Sequence, residues 1–398
     1  MNNITLFDLK KFLNFKTEEE QYLLKKAYDM NKCISNKMDR DICKLTTITL
    51  SQDFHADNNT ILATLIYKAC KSVKKTDASI CQEFNKDVLD KVRLLRTFDD
   101  NLLSYSDNNK RNLVKSITSD VKVTIIKLVE RLNTLKYIEQ YLDNENDLDD
   151  TLLSETLKFY AKIAELLGVH ELKIELEDIC FKYNENYKTS ENIKQKIEEE
   201  FNKVKKIILP KFAQNHVNAE IIQNKRSSYD LFLKSQELKK RLSEINDKSV
   251  IDVSGFCSIK CLVEDINLCY QSLGIIHQFN PLMGFDNDYL SGIQGNEYRS
   301  FNTYVFVGTC LVDFRICTKD MNVVNSYGIC SNWEDNPNLQ SRLESNYDFY
   351  DKLLSLIEES SDFDLIDEFQ KHILDRLYMT GTKSEVTKEF IKKIQDKK

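Results

Sequence analysis

Ser258-Ile259-Lys260-Cys261-Leu262-Val263-Glu264 alternates from side to side with a period of two, which predicts a β-strand. An amphipathic helix follows, with Asp265 as its N-cap and Ile266, Tyr270 and Leu273 on one face. A loop rich in Pro, Gly and Asp, from Pro281 to Asp288, leads into two further strand-like runs, Thr303 to Val307 and Leu311 to Cys317. In the last run Val312, Phe314 and Ile316 point one way and Asp313, Arg315 and Cys317 the other. A helix capped near Thr318 closes the unit at Trp333. The order strand, helix, strand, strand, helix predicts a small mixed sheet with helices on one face. Most of the nine glycines, and two of the three prolines, lie in Ser249 to Trp333 or just after it.

Outside that stretch the chain reads as helix, so the whole is α+β. At 398 residues it has room for two or three domains. Lysine, glutamate, aspartate and asparagine abound while glycine and proline are scarce, a balance that favours helix. A formal net charge of −7 gives no general attraction to nucleic acid or to an anionic membrane. No apolar run approaches the ~18 residues needed to span a bilayer. The polar start MNNITLFDLKKF is not a signal peptide, and together these predict a cytoplasmic protein with no nucleic-acid or membrane partner. Eleven cysteines are scattered without paired spacing and are expected to be thiols in a reducing compartment. Cys257, Cys261 and Cys269 have no histidine at ligand spacing and are expected in the core.

Residues 1–186 carry helical stripes. Val121, Ile125, Leu128, Leu132 and Leu135 recur at four- and three-residue steps, and Leu157, Tyr160, Ala161, Ala164 and Leu167 form a second stripe ended by Gly168. Residues 187–248 read as a Lys/Glu-rich helical connector. From Lys194 to Arg241 there are twelve Lys/Arg against six Asp/Glu, the pattern of a solvated helix face. Residues 341–398 read as a polar helical tail.

Four pieces of the central stretch, LGIIHQFNPLMGFDNDYL (273–290), GNEYRSFNTYVFVG (295–308), VDFRICTKDM (312–321) and SYGICSNW (326–333), resemble in order and spacing the synthetase domain of RelA/SpoT (Rel) proteins. SDVKVTIIKLVERLNTLK (119–136) and SETLKFYAKIAELLGVHELKIELEDICFKY (154–183) are similar to the family's all-helical HD hydrolase domain. The resemblance covers roughly residues 20 to 340. It implies an HD-like all-α domain over 1–186, a synthetase-like α+β domain over 187–340, and truncation before the family's regulatory domains. The family makes and breaks the alarmone (p)ppGpp.

The resemblance also supplies candidate sites. HD hydrolases hold a divalent metal with histidines and carboxylates. The family's ligand positions here read Tyr67, Lys68, Lys71, Ser72, Glu130 and Asn133, so no catalytic metal is expected in this half. Glu130 and Arg131 are expected to form an exposed or inter-helix charge pair. In the synthetase half, NKRSSYDLFLK (224–234) is similar to the family's ATP-phosphate motif. Arg226, Tyr229 and Lys234 match in type, while Asn224 and Asp230 replace an arginine and a serine. Gly255 falls where the Mg²⁺ carboxylate belongs, and Asp252, three residues earlier, faces the other side of a strand. Asp313 stands at the catalytic glutamate, with Arg315 on the same face. Phe285, Asn287, Gln294, Asn302 and Cys317 replace family cations and a phosphate-side histidine. Ser249 to Trp333 holds four Lys/Arg against eight Asp/Glu, the wrong balance for two polyphosphate nucleotides. Asn296 and Tyr298 match the motif whose tyrosine stacks on guanine.

These residues predict a Rel-like protein of (p)ppGpp metabolism or signalling, catalytically impaired in both halves, with Asp313 and Lys234 vestigial. A guanine nucleotide is the expected ligand, held by Tyr298, Asn296, Arg226, Lys234 and Arg315. No cofactor is expected; Mg²⁺ would be needed only by an active synthetase. Two alternatives stand beside this reading. One is a weak synthetase working through Asp313 and Lys234. The other is a non-catalytic module for a protein partner or a second copy of the chain.

Overall fold

A computed structural model describes residues 4–72, 74–102, 120–141, 150–184, 186–245, 257–282, 284, 286–291 and 298–332. Asp252, Gly255, Phe285, Gln294, Asn296 and the tail 341–398 lie outside these residues.

The first half is helical, as its stripes predict. Its helices are α1 (Leu6–Phe12), α2 (Glu18–Asn31), α3 (Lys37–Asp53), α4 (Asn58–Ser72), α5 (Asp77–Glu83), α6 (Lys86–Leu102), α7 (Val121–Tyr141), α8 (Asp150–Glu155), α9 (Ala161–Leu166) and α10 (His170–Phe181). Thr5 and Thr17 start α1 and α2 with capping boxes closed by Asp8 and Glu20. The stripe of α7 is buried throughout, from Val121 to Leu135. The second stripe departs from the expected single helix. A π-helical turn, Thr156–Tyr160, separates α8 from α9. Phe159 and Tyr160, adjacent at the end of this turn, are both buried and pack edge to face at 5.4 Å. Leu157 is left half-buried.

The second half begins with α11 (Tyr187–Gln214) and continues through β1 (Glu220–Gln223), α12 (Ser228–Ile245), β2 (Cys257–Val263) and α13 (Ile266–Ile276). Strands β3 (Asn280–Pro281), β4 (Asn287–Asp288), β5 (Phe301–Val307) and β6 (Cys310–Thr318) follow, then α14 (Lys319–Tyr327) and a 3₁₀ turn, Gly328–Asn332. Asp265 and Thr318 cap α13 and α14 as predicted. The sheet runs β1-β2-β6-β5-β3, with β4 also on β5; β2 and β6 are parallel and the other pairs antiparallel. This is the expected mixed sheet, and the chain is α+β.

Two expectations for residues 187–248 are corrected. The stretch is not helical throughout: β1 pairs with β2 along the sheet edge, hidden from sequence because only Ile221 of its four residues is buried. Nor is α11 merely a solvated face, since Phe201, Val204, Ile208 and Phe212 enter the second core and Ile197 is also buried. Together α11 and α13 cover the apolar side of the sheet, formed by Ile221, Ile259, Cys261, Val305, Val312, Phe314 and Ile316. The expectation of helices on one face holds only for that layer. On the other face α14 brings Asn325 to Cys317, and α10 brings His170 near Lys260 and Arg315.

All eleven cysteines are free, and Cys257, Cys261 and Cys269 are core residues. Among the described residues no helix is long and apolar enough to cross a membrane.

The two halves meet at Gly328. Its φ is +53° and ψ −130°, a conformation open essentially to glycine alone. A Cβ there would lie 2.4 Å from the Leu167 carbonyl oxygen and 2.6 Å from the Gly168 carbonyl carbon. Next to it Tyr327 packs edge-on against Phe54 at 6.1 Å, and Cys330 joins the first core. Gly328→Ala is expected to cost about 2–4 kcal/mol of stability, from backbone strain plus overpacking. Chemical denaturation checks this; an unchanged midpoint would contradict so tight a junction.

Candidate nucleotide-binding site

Strand alternation sends every second residue of the sheet away from the apolar core, and register then decides which polar groups meet. Ser258 and Tyr304 flank Asp313 on the neighbouring strands, and Lys260 and Asn302 flank Arg315. Asp313 is only 2% exposed. One of its oxygens, Oδ2, accepts from Ser258 Oγ at 2.9 Å, from Arg315 Nε and Nη2 at 3.4 Å, and from Arg226 Nη2 at 3.5 Å. Ser258 Oγ in turn accepts from Asn224 Nδ2 at 3.0 Å, so Asn224 orients the serine rather than a phosphate. Arg226 and Lys234 share Asp230 Oδ2, at 3.3 and 3.5 Å. The negative charge of Asp313, helped by burial, raises the Tyr304 phenol above its ordinary range. Burial lowers Lys260, and the nearby Arg315 and Lys225 add to this against an opposing pull from Glu171.

Asp313, Arg226, Arg315, Lys234 and Tyr298 were singled out in sequence, and the fold gathers them on one surface. Tyr298 is half-buried at the rim. Its hydroxyl donates to Asn302 Oδ1 at 3.1 Å, and its ring meets Tyr289 edge-on at 5.9 Å. Asn296 lies outside the described residues. Tyr229, matched in sequence to a phosphate motif, instead packs with Phe232 around Phe181. Sequence reasoning missed Ser258, Lys260 and Tyr304; only the register with β6 reveals them.

The unfavourable charge count of this stretch is also corrected. Glu264 pairs with Lys319, Asp265 caps α13, Asp286 accepts from Thr303, Asp288 accepts from Tyr270, and Asp320 sits in the first turn of α14. The described polar face therefore holds Arg226, Lys234, Lys260, Arg315 and Lys225 against Asp230, Asp313 and Glu171. That balance attracts anions.

The loop that delivers Arg226 is held by the first half. Glu177 of α10 accepts from Ser227 Oγ, and Asp178 accepts from the Ser228 backbone N–H and pairs with Lys194 at 3.1 Å. Ser227 Oγ also accepts from the Asp230 N–H at 3.0 Å. Burial pushes Glu177 up to about 7 against the opposing pull of Lys173 and the Ser227 bond. Burial, with Lys173 beside it, pushes His170 down to about 4.

The HD-like centre is built differently. Tyr67, Lys127 and Glu130 are buried between α4, α6 and α7. Glu130 Oε1 accepts from Tyr67 Oη at 2.5 Å and pairs with Lys68 at 2.7 Å, while Oε2 pairs with Lys127 at 2.5 Å. Lys127 also reaches Asp99 at 2.6 Å, and Lys68 reaches Asp39 at 2.7 Å. Burial opposes ionisation of Glu130, but Lys127 and Lys68 outweigh it and hold the carboxyl at about 2. Asn133 donates to Thr46 and Thr49 at 3.4 and 3.3 Å. Arg131 donates to Glu155 at 2.6 Å and lies over the Tyr160 ring at 4.1 Å. The expected Glu130–Arg131 charge pair is therefore corrected. Both are largely buried and each pairs between helices, with different partners. The family's divalent cation does not fit this donor set, because two ammoniums stand among the carboxylates.

The chain matches the family described as HD domain over residues 43–170 and the region found in RelA/SpoT proteins over residues 223–337. It is 27% identical over 293 residues to a guanosine-3′,5′-bis(diphosphate) 3′-pyrophosphohydrolase of Borreliella burgdorferi, covering 70% of this chain and 42% of that protein. A protein of the same name from Aquifex aeolicus is 29% identical over 289 residues, 70% of this chain and 40% of its own length. A Brucella suis GTP pyrophosphokinase is 23% identical over 354 residues, covering 82% and 44%. The chain spans about two fifths of the length of these curated relatives. With both domains matched in order, the chain belongs to the Rel family.

The Glu177 anchor gives a pH signature. A carboxyl whose pKa is raised on folding contributes stability below its unfolded value, and loses it as pH rises through about 7. Glu177→Gln keeps the Ser227 bond and removes this titration. It is expected to flatten the decline in stability between pH 5 and pH 8 by about 2–3 kcal/mol. Urea unfolding at the two pH values reads this out; parallel profiles for variant and parent would contradict it.

Proposed function

We propose that this Rel-family chain serves (p)ppGpp metabolism or signalling as a guanine-nucleotide-binding protein impaired in catalysis in both halves. The observation that carries the reading is the polar sheet face, where Arg226, Arg315 and Lys234 gather around Asp313 with Tyr298 at the rim. Two guanidiniums and an ammonium suit a phosphate chain, and an aromatic ring beside them suits a base. Impaired turnover is supported by the state of Asp313. Its Oδ2 is already shared among Ser258, Arg226 and Arg315. Gly255 supplies no carboxylate for Mg²⁺, and each missing electrostatic donor typically costs about 10²–10³ in rate. In the first half, Tyr67, Lys68 and Asn133 stand where hydrolysis needs metal ligands.

The test is calorimetric titration with GDP, GTP, ATP and ppGpp, with product analysis in Mg²⁺ and Mn²⁺. GDP is expected to bind with a Kd on the order of 10 µM to 1 mM, given a stacked base and few phosphate anchors. Tyr298→Ala should abolish that binding with little change in melting temperature, and Arg315→Ala should weaken it about tenfold. Alarmone synthesis or hydrolysis at family-like rates would overturn the claim of impairment. If no guanine nucleotide binds and Tyr298→Ala costs several kcal/mol of stability, the tyrosine is structural and an interaction module explains the face better.

A further inference from the structure

Glu130 is bridged on both oxygens by cations. Lys68 Nζ lies 2.7 Å from Glu130 Oε1 and 2.7 Å from Asp39 Oδ1. Lys127 Nζ lies 2.5 Å from Glu130 Oε2, 2.6 Å from Asp99 Oδ1 and 3.2 Å from Tyr67 Oη, so its three N–H groups have three acceptors. Each nitrogen thus sits between carboxylate oxygens at a separation close to the upper end of the 2.0–2.6 Å or so of divalent cation–oxygen bonds. Lys127 and Glu130 are one turn apart on α7, and Lys68 follows Tyr67 on α4, so two helices deliver both charges to one carboxylate.

We propose that Lys68, at a ligand position of the HD centre, is a tethered replacement for its divalent cation, its ammonium together with that of Lys127 balancing the carboxylates that would otherwise demand a metal. This does not depend on the nucleotide reading, because it concerns the other half of the chain. A buried carboxylate is tolerated only when it is paired and hydrogen-bonded, and here the pairing is permanent. Tyr67 completes the arrangement. Its hydroxyl donates to Glu130 and accepts from Lys127, closing a ring that leaves no place for a metal-bound water. The result is an HD core whose charge is satisfied without any ion and whose stability is independent of metal supply.

The test uses the full chain with Mn²⁺ as the probe. Wild type purified in Mn²⁺ should retain no stoichiometric metal, and its melting temperature should be the same with Mn²⁺ or a chelator. Lys68→Ala opens space beside Glu130 and Asp39. It should lose about 10 °C in melting temperature, the size expected for unpairing a buried charge, and millimolar Mn²⁺ should restore at least half of it. Lys68→Met fills the same space and should be as unstable but unresponsive to Mn²⁺. Lys68→Ala/Glu130→Gln removes charge of both signs and should be more stable than Lys68→Ala and indifferent to Mn²⁺. If Lys68→Ala does not fold at all, folding of the double variant without metal supports the assignment, and its failure to fold counts against it. One Mn²⁺ per wild-type chain, or a folded Lys68→Ala that Mn²⁺ does not stabilise, would overturn it.

Discussion

A carboxylate with 2% exposure must be paired, and the second half of this protein is arranged around that requirement at Asp313. Its partners come from three directions: Ser258 from the parallel neighbour strand, Arg315 from two residues along its own strand, and Arg226 from the loop ahead of α12. Removing both guanidiniums would leave a buried charge uncompensated, at a cost of about 3–5 kcal/mol. The parallel β2–β6 register, the position of α12 and the cationic character of the face are therefore linked. The same pairing that steadies the fold engages Oδ2 of the residue at the position of the family's catalytic glutamate.

The anchoring of Arg226 extends this dependence into the first half. Glu177 and Asp178 hold Ser227 and Ser228, and Phe181 packs against Tyr229 and Phe232. The loop that presents Arg226 to Asp313 is positioned from outside the sheet. Gly328 sets the other end of the junction, backbone against backbone.

Much of this was legible in the sequence, for physical reasons that differ by region. The alternation in Leu311 to Cys317 placed Asp313 and Arg315 together because strand periodicity is strict, and Asp265 and Thr318 marked helix starts through their capping chemistry. Ser258 sat in the same decisive stretch but acquired a role only through its register with Asp313, a long-range relation that local pattern does not carry. β1 was hidden in a charged run, and the π turn at Thr156–Tyr160 carries no signal in the apolar spacing. The acidic count of Ser249 to Trp333 misled because its acids cap helices, bond hydroxyls or pair elsewhere. Lys68 was read as a cation that would repel a metal, but its pairing with Glu130 was not foreseen. The i, i+3 spacing of Lys127 and Glu130 on α7 was an available signal for half of that network.

The central claim is that the anion-attracting sheet face binds a guanine nucleotide while the HD centre, closed by its own lysines, does not. Hydrogen–deuterium exchange of the full chain with saturating GDP, and separately with ppGpp, tests it most directly. Slower exchange is predicted in residues 224–234 and 298–318, with residues 58–72 and 121–141 unchanged. Protection centred on the latter segments, or none anywhere with bound nucleotide, would contradict the account.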